Sequence, residues 1–264
     1  MFEQRVVSSV VLAAGAVVAV LVGGWLFTGL ALVACVIMAG EWSRLVPDVD
    51  RQGHQVMIGA AMLLPACAVI ALQTGRPDLA TLTMLLGPLL AAAASALLPK
   101  IPPDRTAGGI LYVGVPVLAL VWLRNDVAGG IAHVLWLFLV VWATDIFAYV
   151  AGRSIGGPKL APRVSPGKTW AGLGGGMVAA GIVGGVAGLL LGAGFWMPFG
   201  LGLVLALVAQ AGDLFESALK RRASLKDSGH LIPGHGGLLD RIDGLIFAAP
   251  AFAALVWLFG SPSR

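Results

Sequence analysis

The sequence predicts an all-α, polytopic integral membrane protein with about nine transmembrane helices, eight being the alternative count. Three observations carry this prediction: 58% of the 264 residues are hydrophobic, only 11% are charged, and the mean hydropathy is +0.93. A soluble domain has about 25% charged residues because it needs a wetted polar surface. The composition therefore excludes a soluble enzyme, a disordered chain and a fibrous protein.

Nine apolar segments approach the roughly 20 residues that a helix needs to cross a bilayer. The predicted helices cover residues 6–22, 25–43, 55–73, 79–98, 107–123, 130–150, 171–193, 197–219 and 241–260. Turn-forming and charged clusters separate them, as at Pro102-Pro103-Asp104. The first break rests on a short turn near Gly23-Gly24, which is why eight spans remain the alternative.

The basic residues are distributed unevenly between the two sides of this predicted bundle. With the N-terminus in the cytoplasm, fourteen of the 17 Lys and Arg residues fall in cytoplasmic segments and three in outer ones. The positive-inside rule describes this asymmetry. It predicts that the two longest polar loops, 151–170 and 220–240, share the cytoplasmic side. We expect residues 1–130 to form a structural, lipid-facing part and residues 131–264 to form the catalytic part.

The seventh predicted helix has a small residue at every fourth position. This stripe consists of Gly172, Gly176, Ala180, Gly184, Gly188 and Gly192. Residues four apart share one helix face, where small side chains allow another backbone to approach closely. The stripe predicts tight helix packing, either within the chain or in a homodimer.

Carboxylates inside apolar helices are costly and usually functional. The acidic residues in or at the ends of the later helices are Asp145, Asp213, Glu216, Asp240 and Asp243. At about 100° per residue, Ser217 and Lys220 share a face with the two acids of the eighth helix. In the alternative interpretation, Asp240 is a helix cap, and Glu216 with Lys220 is a simple ion pair.

The two polar loops combine glycine with basic residues. Residues 220–241 contain five basic residues and four glycines, and residues 152–170 contain four basic residues and no acid. Glycine-rich backbone beside lysine and arginine binds phosphate oxygens. A basic cytoplasmic loop alternatively follows from the positive-inside rule alone or attracts anionic lipid. Together with the carboxylates, the two loops predict Mg²⁺-assisted phosphoryl or nucleotidyl transfer. The net charge of +4 is too small to indicate a nucleic-acid partner.

Two stretches of sequence resemble the phosphatidate cytidylyltransferase family, the CDP-diacylglycerol synthases. The family's signature is matched by SALKR at 217–221 and by KDSGHLIPGHGGLLDRID at 226–243. Residues 145–153 and 165–170 are similar to a second block of the family, so that the resemblance covers about 145–245. Ala171 departs from the family pattern, in which Glu or Gln is common.

The resemblance implies transfer of CMP from CTP to phosphatidate, which gives CDP-diacylglycerol and pyrophosphate in phospholipid biosynthesis. It implies a bacterial-type inner membrane, an active site facing the cytoplasm, and Mg²⁺ as cofactor, with a second cation left open. The implied metal ligands are Asp213, Asp240 and Glu216. The implied catalytic residues are Asp213, Asp240, Asp243, Lys226 and Asp227. The implied substrate-binding residues are Ser165, Lys168, Ser217, Lys220, Arg221, His235, Arg241 and Asp145.

Three other functions are alternatives. Asp240 to Gly244 superficially matches the DxxDG start of CDP-alcohol phosphotransferases, but the sequence then diverges. A CTP-dependent lipid-alcohol kinase is the second alternative. The third is a transporter with Asp145, Asp213 and Asp243 along its pathway. The helices carry no matching polar stripe toward the outer side, which disfavours transport.

Overall fold

The computed structural model of the chain describes residues 2–47, 49–98, 101–229, 231 and 236–259, except for the side chains of residues 2–9 and 51. Within these ranges the fold consists of nine helices and one β-hairpin. In chain order the elements are α1 (Phe2–Val22), α2 (Gly24–Arg44), α3 (Arg51–Gln73), α4 (Pro77–Ala96), α5 (Pro103–Asn125), α6 (Gly130–Ser154), β1 (Lys159–Ala161), β2 (Ser165–Thr169), α7 (Trp170–Leu190), α8 (Trp196–Arg222) and α9 (Leu239–Phe259). The predicted helical membrane fold is confirmed.

Eight helices, α2 to α9, are long and apolar enough to cross a membrane, whereas the apolar helical segment found in the described part of α1 is the shorter Val10–Val22. Gly23 and Gly24, with φ of 68° and 53°, separate α1 from α2. Glycine adopts positive φ values without steric cost, so the helix break lies at the two glycines where it was predicted. Leucines on α4 such as Leu89 and Leu90 are about two-thirds exposed, as expected of helices that contact lipid.

By packing, the chain divides into two units. Unit 1 is Met1–Val127 with Arg222–Arg241, and unit 2 is Ala128–Arg221 with Ile242–Arg264. The segment that precedes and opens α9 therefore belongs to unit 1. The expected functional division between residues 1–130 and 131–264 stays a prediction.

In unit 1, α3 packs against α2, α4 and α5, and α5 also contacts α2 and α4. A polar network joins three of these helices. The Asn125 side chain donates to Gln73 Oε1 at 2.8 Å and to Thr28 Oγ1 at 3.1 Å. Buried polar groups require such partners, and these hydrogen bonds fix one end of α5 against α2 and α3.

In unit 2, α7 packs through the small-residue stripe. A Cβ atom added at Gly172 would lie 2.8 Å from Ala148 O of α6, and one at Gly184 would lie 2.9 Å from Pro198 O of α8. The predicted close packing is confirmed within the chain, and the homodimer stays a prediction. Gly192 lies beyond the end of α7 with a φ of 77°.

The segment 159–169, expected to be part of a loop, forms an antiparallel hairpin. Gly156 and Gly157, with φ of 70° and 89°, turn the chain away from the end of α6 before β1 begins. At the end of β2, Thr169 Oγ1 accepts a hydrogen bond from Gly172 N at 3.0 Å and so caps α7. The hairpin is therefore anchored directly to the helix that follows it.

Candidate active site

The hairpin places a lysine against a carboxylate of α8. Lys168 Nζ lies 2.5 Å from Asp213 Oδ2, and the two side chains are only 18% and 25% exposed. At the hairpin turn, Val164 O accepts a hydrogen bond from Arg221 Nε at 3.4 Å. Three predicted site residues, Lys168, Asp213 and Arg221, are thus brought together by one hairpin and one helix.

The polar face predicted for α8 is present. Ser217 Oγ donates to Asp213 Oδ1 at 3.3 Å. One turn along, Lys220 Nζ lies 3.1 Å from Oε1 of Glu216, whose side chain is fully buried. The ion pair between Glu216 and Lys220 is therefore present, and the Asp213 carboxylate lies on the same face of α8.

Unit 2 gathers further carboxylates around α9. At Gly212 the backbones of α8 and α9 approach so closely that an added Cβ would lie 2.6 Å from Asp243 O. The Asp243 side chain accepts a hydrogen bond from Gly244 N at 2.7 Å. Three other carboxylates act electrostatically on Asp243, namely those of Asp213, Glu216 and Asp145. Four acidic residues of α6, α8 and α9 therefore form one carboxylate cluster.

In unit 1, Asp240 is held by neutral donors. Its Oδ2 accepts hydrogen bonds from Ser228 N at 2.9 Å, from Ser228 Oγ at 3.0 Å and from Gly237 N at 2.8 Å. The bond from Gly237 resembles a helix cap, one of the alternatives for this residue. The bonds from Ser228 go further, because they tie the first turn of α9 to the middle of the segment 222–241.

Glu41, which lies near the end of α2, was not predicted as a site residue from the sequence. Its side chain is buried, with Oε1 accepting from Leu238 N at 2.8 Å and Oε2 accepting from Leu239 N at 2.8 Å. Ser228 Oγ lies 3.0 Å from Oε2 as well. The signal that would have identified Glu41 is the same one applied to the other acids, namely a carboxylate within an apolar helix.

A cavity of about 410 Å³ adjoins this network in unit 1. Its walls come from the end of α2, from α3 and from residues 225–229, and they include Arg44, His54, Asp227 and Ser228. Asp227 was predicted as a site residue, whereas Arg44 and His54 were not. The cavity thus places two basic side chains beside part of the signature segment.

The remaining predicted residues lie nearer the surface or outside the described chain. Lys226, Asp227 and Arg241 are exposed, and Ser165 at the start of β2 is partly buried. His235 lies outside the described residues. The catalytic and binding roles of these five residues stay predictions.

The donor chemistry of unit 2 fits Mg²⁺. Within the described ranges, no three His, Cys, Asp or Glu side chains come together as a ready metal site. Mg²⁺ does not need one, because it generally takes one or two carboxylates together with substrate phosphates and waters. The oxygens of Asp213 and Glu216 are donors of this type. They suit a cation that is bound together with a nucleotide.

Comparison with known proteins identifies the family. Residues 3–259 match the model of the cytidylyltransferase family. The chain belongs to this family. Among its relatives, the phosphatidate cytidylyltransferase of Brucella abortus biovar 1 (strain 9-941) is 42% identical over 264 residues, which cover 98% of this chain and 93% of that protein.

Two rickettsial proteins are also similar to this chain. The phosphatidate cytidylyltransferase of Rickettsia felis is 35% identical over 212 residues, 76% of this chain and 91% of that protein. The protein of the same name from Rickettsia prowazekii is 40% identical over 152 residues, 54% of this chain and 66% of that protein. The resemblance predicted from the signature residues is confirmed.

Proposed function

We propose that this chain transfers the cytidylyl group of CTP to phosphatidate in a Mg²⁺-dependent reaction at the cytoplasmic face of a bacterial inner membrane. The products are CDP-diacylglycerol and pyrophosphate, and the reaction belongs to phospholipid biosynthesis. Family membership and the full-length match to a phosphatidate cytidylyltransferase support the reaction. The observation that carries the chemistry is the contact between Lys168 and Asp213 beside three further carboxylates.

The cations of unit 2 suit the phosphates of the substrates. Lys168, Lys220 and Arg221 lie on the hairpin and on α8, next to the carboxylate cluster. Charge-assisted hydrogen bonds from lysine and arginine to phosphate oxygens are strong and orienting. We assign these three side chains to binding of the triphosphate or of the phosphatidate headgroup, and Ser165 and Ser217 to supporting hydrogen bonds.

Asp213 and Asp240 are the proposed metal ligands, and Glu216 is a further one; these assignments come from the resemblance, residue by residue. Mg²⁺, when bound, supplies positive charge that offsets the charge of the triphosphate. The chain's own part is to orient these carboxylates, through Lys168 for Asp213 and through Ser228 for Asp240. A second cation and the substrate contacts of His235 and Arg241 belong to the same proposal.

The transfer itself needs no protein nucleophile. A phosphate oxygen of phosphatidate forms a bond to the α-phosphorus of CTP, and the bond from that phosphorus to the bridging oxygen breaks, which releases pyrophosphate. Catalysis of this type consists mainly of positioning and charge stabilisation. The acyl chains of phosphatidate remain in the bilayer while its headgroup meets CTP at the membrane surface.

The test uses the full-length protein, purified in detergent, with α-labelled CTP, phosphatidate and Mg²⁺. We expect labelled CDP-diacylglycerol and an equal amount of pyrophosphate, and we expect both to disappear when a chelator removes the cation. Asp240→Asn should abolish formation of the product while the protein stays folded. The exposed Asp78 on α4 provides the matched control Asp78→Asn, which should keep normal activity. Near-normal activity of Asp240→Asn would refute the metal assignment.

The orientation of the chain in the membrane is tested separately in spheroplasts. After both native cysteines, Cys35 and Cys67, are replaced by alanine, a single cysteine is introduced in place of Lys226 or Asp78. A membrane-impermeant thiol reagent should label the cysteine at 226 only after permeabilisation, and the one at 78 in intact spheroplasts. The reverse pattern would place the active site on the outer side.

A further inference from the structure

The Glu41 carboxylate is buried and needs hydrogen-bond donors in place of water. Its side chain belongs to the apolar helix α2, and the residue is only 4% exposed. Burying a carboxylate is costly unless hydrogen bonds replace its water. Within the described part of the chain, Glu41 accepts from three donors, which belong to residues 228–239, at least 187 positions further along. The carboxylate is therefore built to hold that distant segment.

What Glu41 holds is the start of α9. The first N–H groups of a helix have no partners within the helix, and a negative charge there is also favoured by the helix dipole. A Ser, Thr, Asp or Asn just before the helix usually supplies the acceptor. Here Gly236, Gly237 and Leu238 precede Leu239, and none of them has a side-chain acceptor. Glu41 supplies it instead, from another helix.

The backbone around Glu41 is shaped to fit the carboxylate. An added Cβ would lie 2.7 Å from Glu41 Oε1 at Gly229, and 2.6 Å from Glu41 Cδ at Gly237. Real Cβ atoms do not approach other atoms so closely, so glycine at these two positions lets the segment wrap around the side chain. This observation is independent of the hydrogen bonds and points to the same conclusion.

The same elements hold Asp240. Ser228 Oγ lies 3.0 Å from both Glu41 Oε2 and Asp240 Oδ2, and Ser228 N donates to Asp240. A hydroxyl has one proton, so at any moment it donates to one of the two carboxylates. Asp240 also directly follows Leu239, whose N–H is bonded to Glu41. Glu41 therefore holds both the backbone next to Asp240 and Ser228, which is one of the partners of the Asp240 side chain.

We propose that Glu41 is a positioning residue for the transfer reaction: it sets the direction of the Asp240 carboxylate by holding Ser228 and the first turn of α9. The inference rests on the proposed function, in which Asp240 is a metal ligand. Glu41 itself does not touch substrate, because its oxygens are occupied by Leu238 N, Leu239 N and Ser228 Oγ. Partners that orient a metal ligand typically contribute about 10- to 100-fold to metal affinity or activity.

The test compares Glu41→Gln and Glu41→Asp with wild type, using the full-length protein in nanodiscs. Glutamine keeps the size of the side chain but has only one oxygen acceptor, so at least one N–H of the α9 start loses its partner. We expect kcat to fall about 10- to 100-fold and the Mg²⁺ concentration for half-maximal activity to rise. Aspartate keeps the charge and should restore part of both. A variant that only unfolds would lose active protein without changing the Mg²⁺ dependence of the remainder.

The second measurement is amide hydrogen exchange of residues 236–241, which does not depend on activity. Glu41→Gln should speed exchange at Leu238 and Leu239 while α3 and α5 stay protected. The control is Ser43→Ala, since Ser43 is buried on the same helix and its hydroxyl donates to Gly40 O within that helix. It should leave exchange and Mg²⁺ dependence unchanged.

Three outcomes would overturn the proposal. They are unchanged exchange in Glu41→Gln, an unchanged Mg²⁺ dependence, and loss of protection throughout α2 to α5. If wild-type protein made no CDP-diacylglycerol, the proposed function would fail by itself. Amide exchange would then still decide whether Glu41 orders the start of α9.

Discussion

In unit 2 lysine side chains neutralise Asp213 and Glu216, whereas in unit 1 backbone N–H groups and one serine hydroxyl hold Asp240 and Glu41. Asp213 is paired with Lys168 and Glu216 with Lys220. Asp240 and Glu41 are bonded to residues 228–239 instead. The same chemical group is thus stabilised by mobile charges in one unit and by fixed dipoles in the other.

This difference indicates two tasks. A lysine carries a compact charge on a flexible stem, so it can leave a carboxylate and follow a phosphate when substrate arrives. Backbone donors cannot move in this way, and such preorganised dipoles need no rearrangement during the reaction. We therefore expect the carboxylates of unit 2 to exchange partners during turnover and those of unit 1 to stay in place.

Within unit 2, the largest effect should come from Asp213→Asn. The change removes the charge that Lys168 neutralises and a proposed metal ligand, so kcat should fall by at least about 100-fold, the upper end of the effect of a partner that only orients a ligand. Steady-state assays at saturating CTP and phosphatidate measure this. The exposed Asp104 on α5 gives the control Asp104→Asn, which should be normal. A loss of less than 10-fold would contradict a central role for Asp213.

Lys168→Met should have the next largest effect. Methionine keeps much of the stem and removes the charge, so the KM for CTP should rise about 10- to 100-fold, the value of a hydrogen bond to a charged group. If Lys168 acts through Asp213, adding Lys168→Met to Asp213→Asn should cost little more. Lys159→Met changes an exposed lysine of the same hairpin and should be neutral. Equal KM values for wild type and Lys168→Met would show that the lysine has only a structural role.

The helices and the polar face of α8 could be predicted because both depend on local patterns in the sequence. Apolar length predicts the helices, and the spacing of Asp213, Glu216, Ser217 and Lys220 predicts one shared face whatever the helix packs against. Their contacts along α8 are those that such a face requires. The pairing of Glu216 with Lys220 could be expected for the same reason.

The contacts of unit 1 could not be predicted in this way. The partners of Glu41 are backbone N–H groups, which every residue except proline has, and they lie 197 and 198 residues away. No residue type marks such a donor in the sequence. The hairpin was missed for a related reason, since three- and five-residue strands are too short to show an alternating pattern.

Gly212→Ala should weaken unit 2 through packing alone. The added methyl group would meet Asp243 O and Phe247, so α8 and α9 must move apart. Overpacking of this type costs about 1–3 kcal/mol, which thermal unfolding in detergent would detect, and activity should fall with the displaced carboxylates. Gly174→Ala on α7 is the control, because a Cβ there meets nothing within 4 Å. Equal stability of the two variants would mean that the close approach at Gly212 is not needed.

The smallest effect should come from Lys226→Ala in unit 1. Lys226 is exposed, and Asp240 and Glu41 of its unit accept hydrogen bonds from neutral donors. An exposed charge contributes up to about 1 kcal/mol, so the KM for CTP or phosphatidate should rise less than about 5-fold. The increase should vanish at high salt, where exposed charges are screened. A loss of 100-fold in kcat that persists at high salt would instead make Lys226 a catalytic contact, and unit 1 would then depend on a mobile cation as unit 2 does.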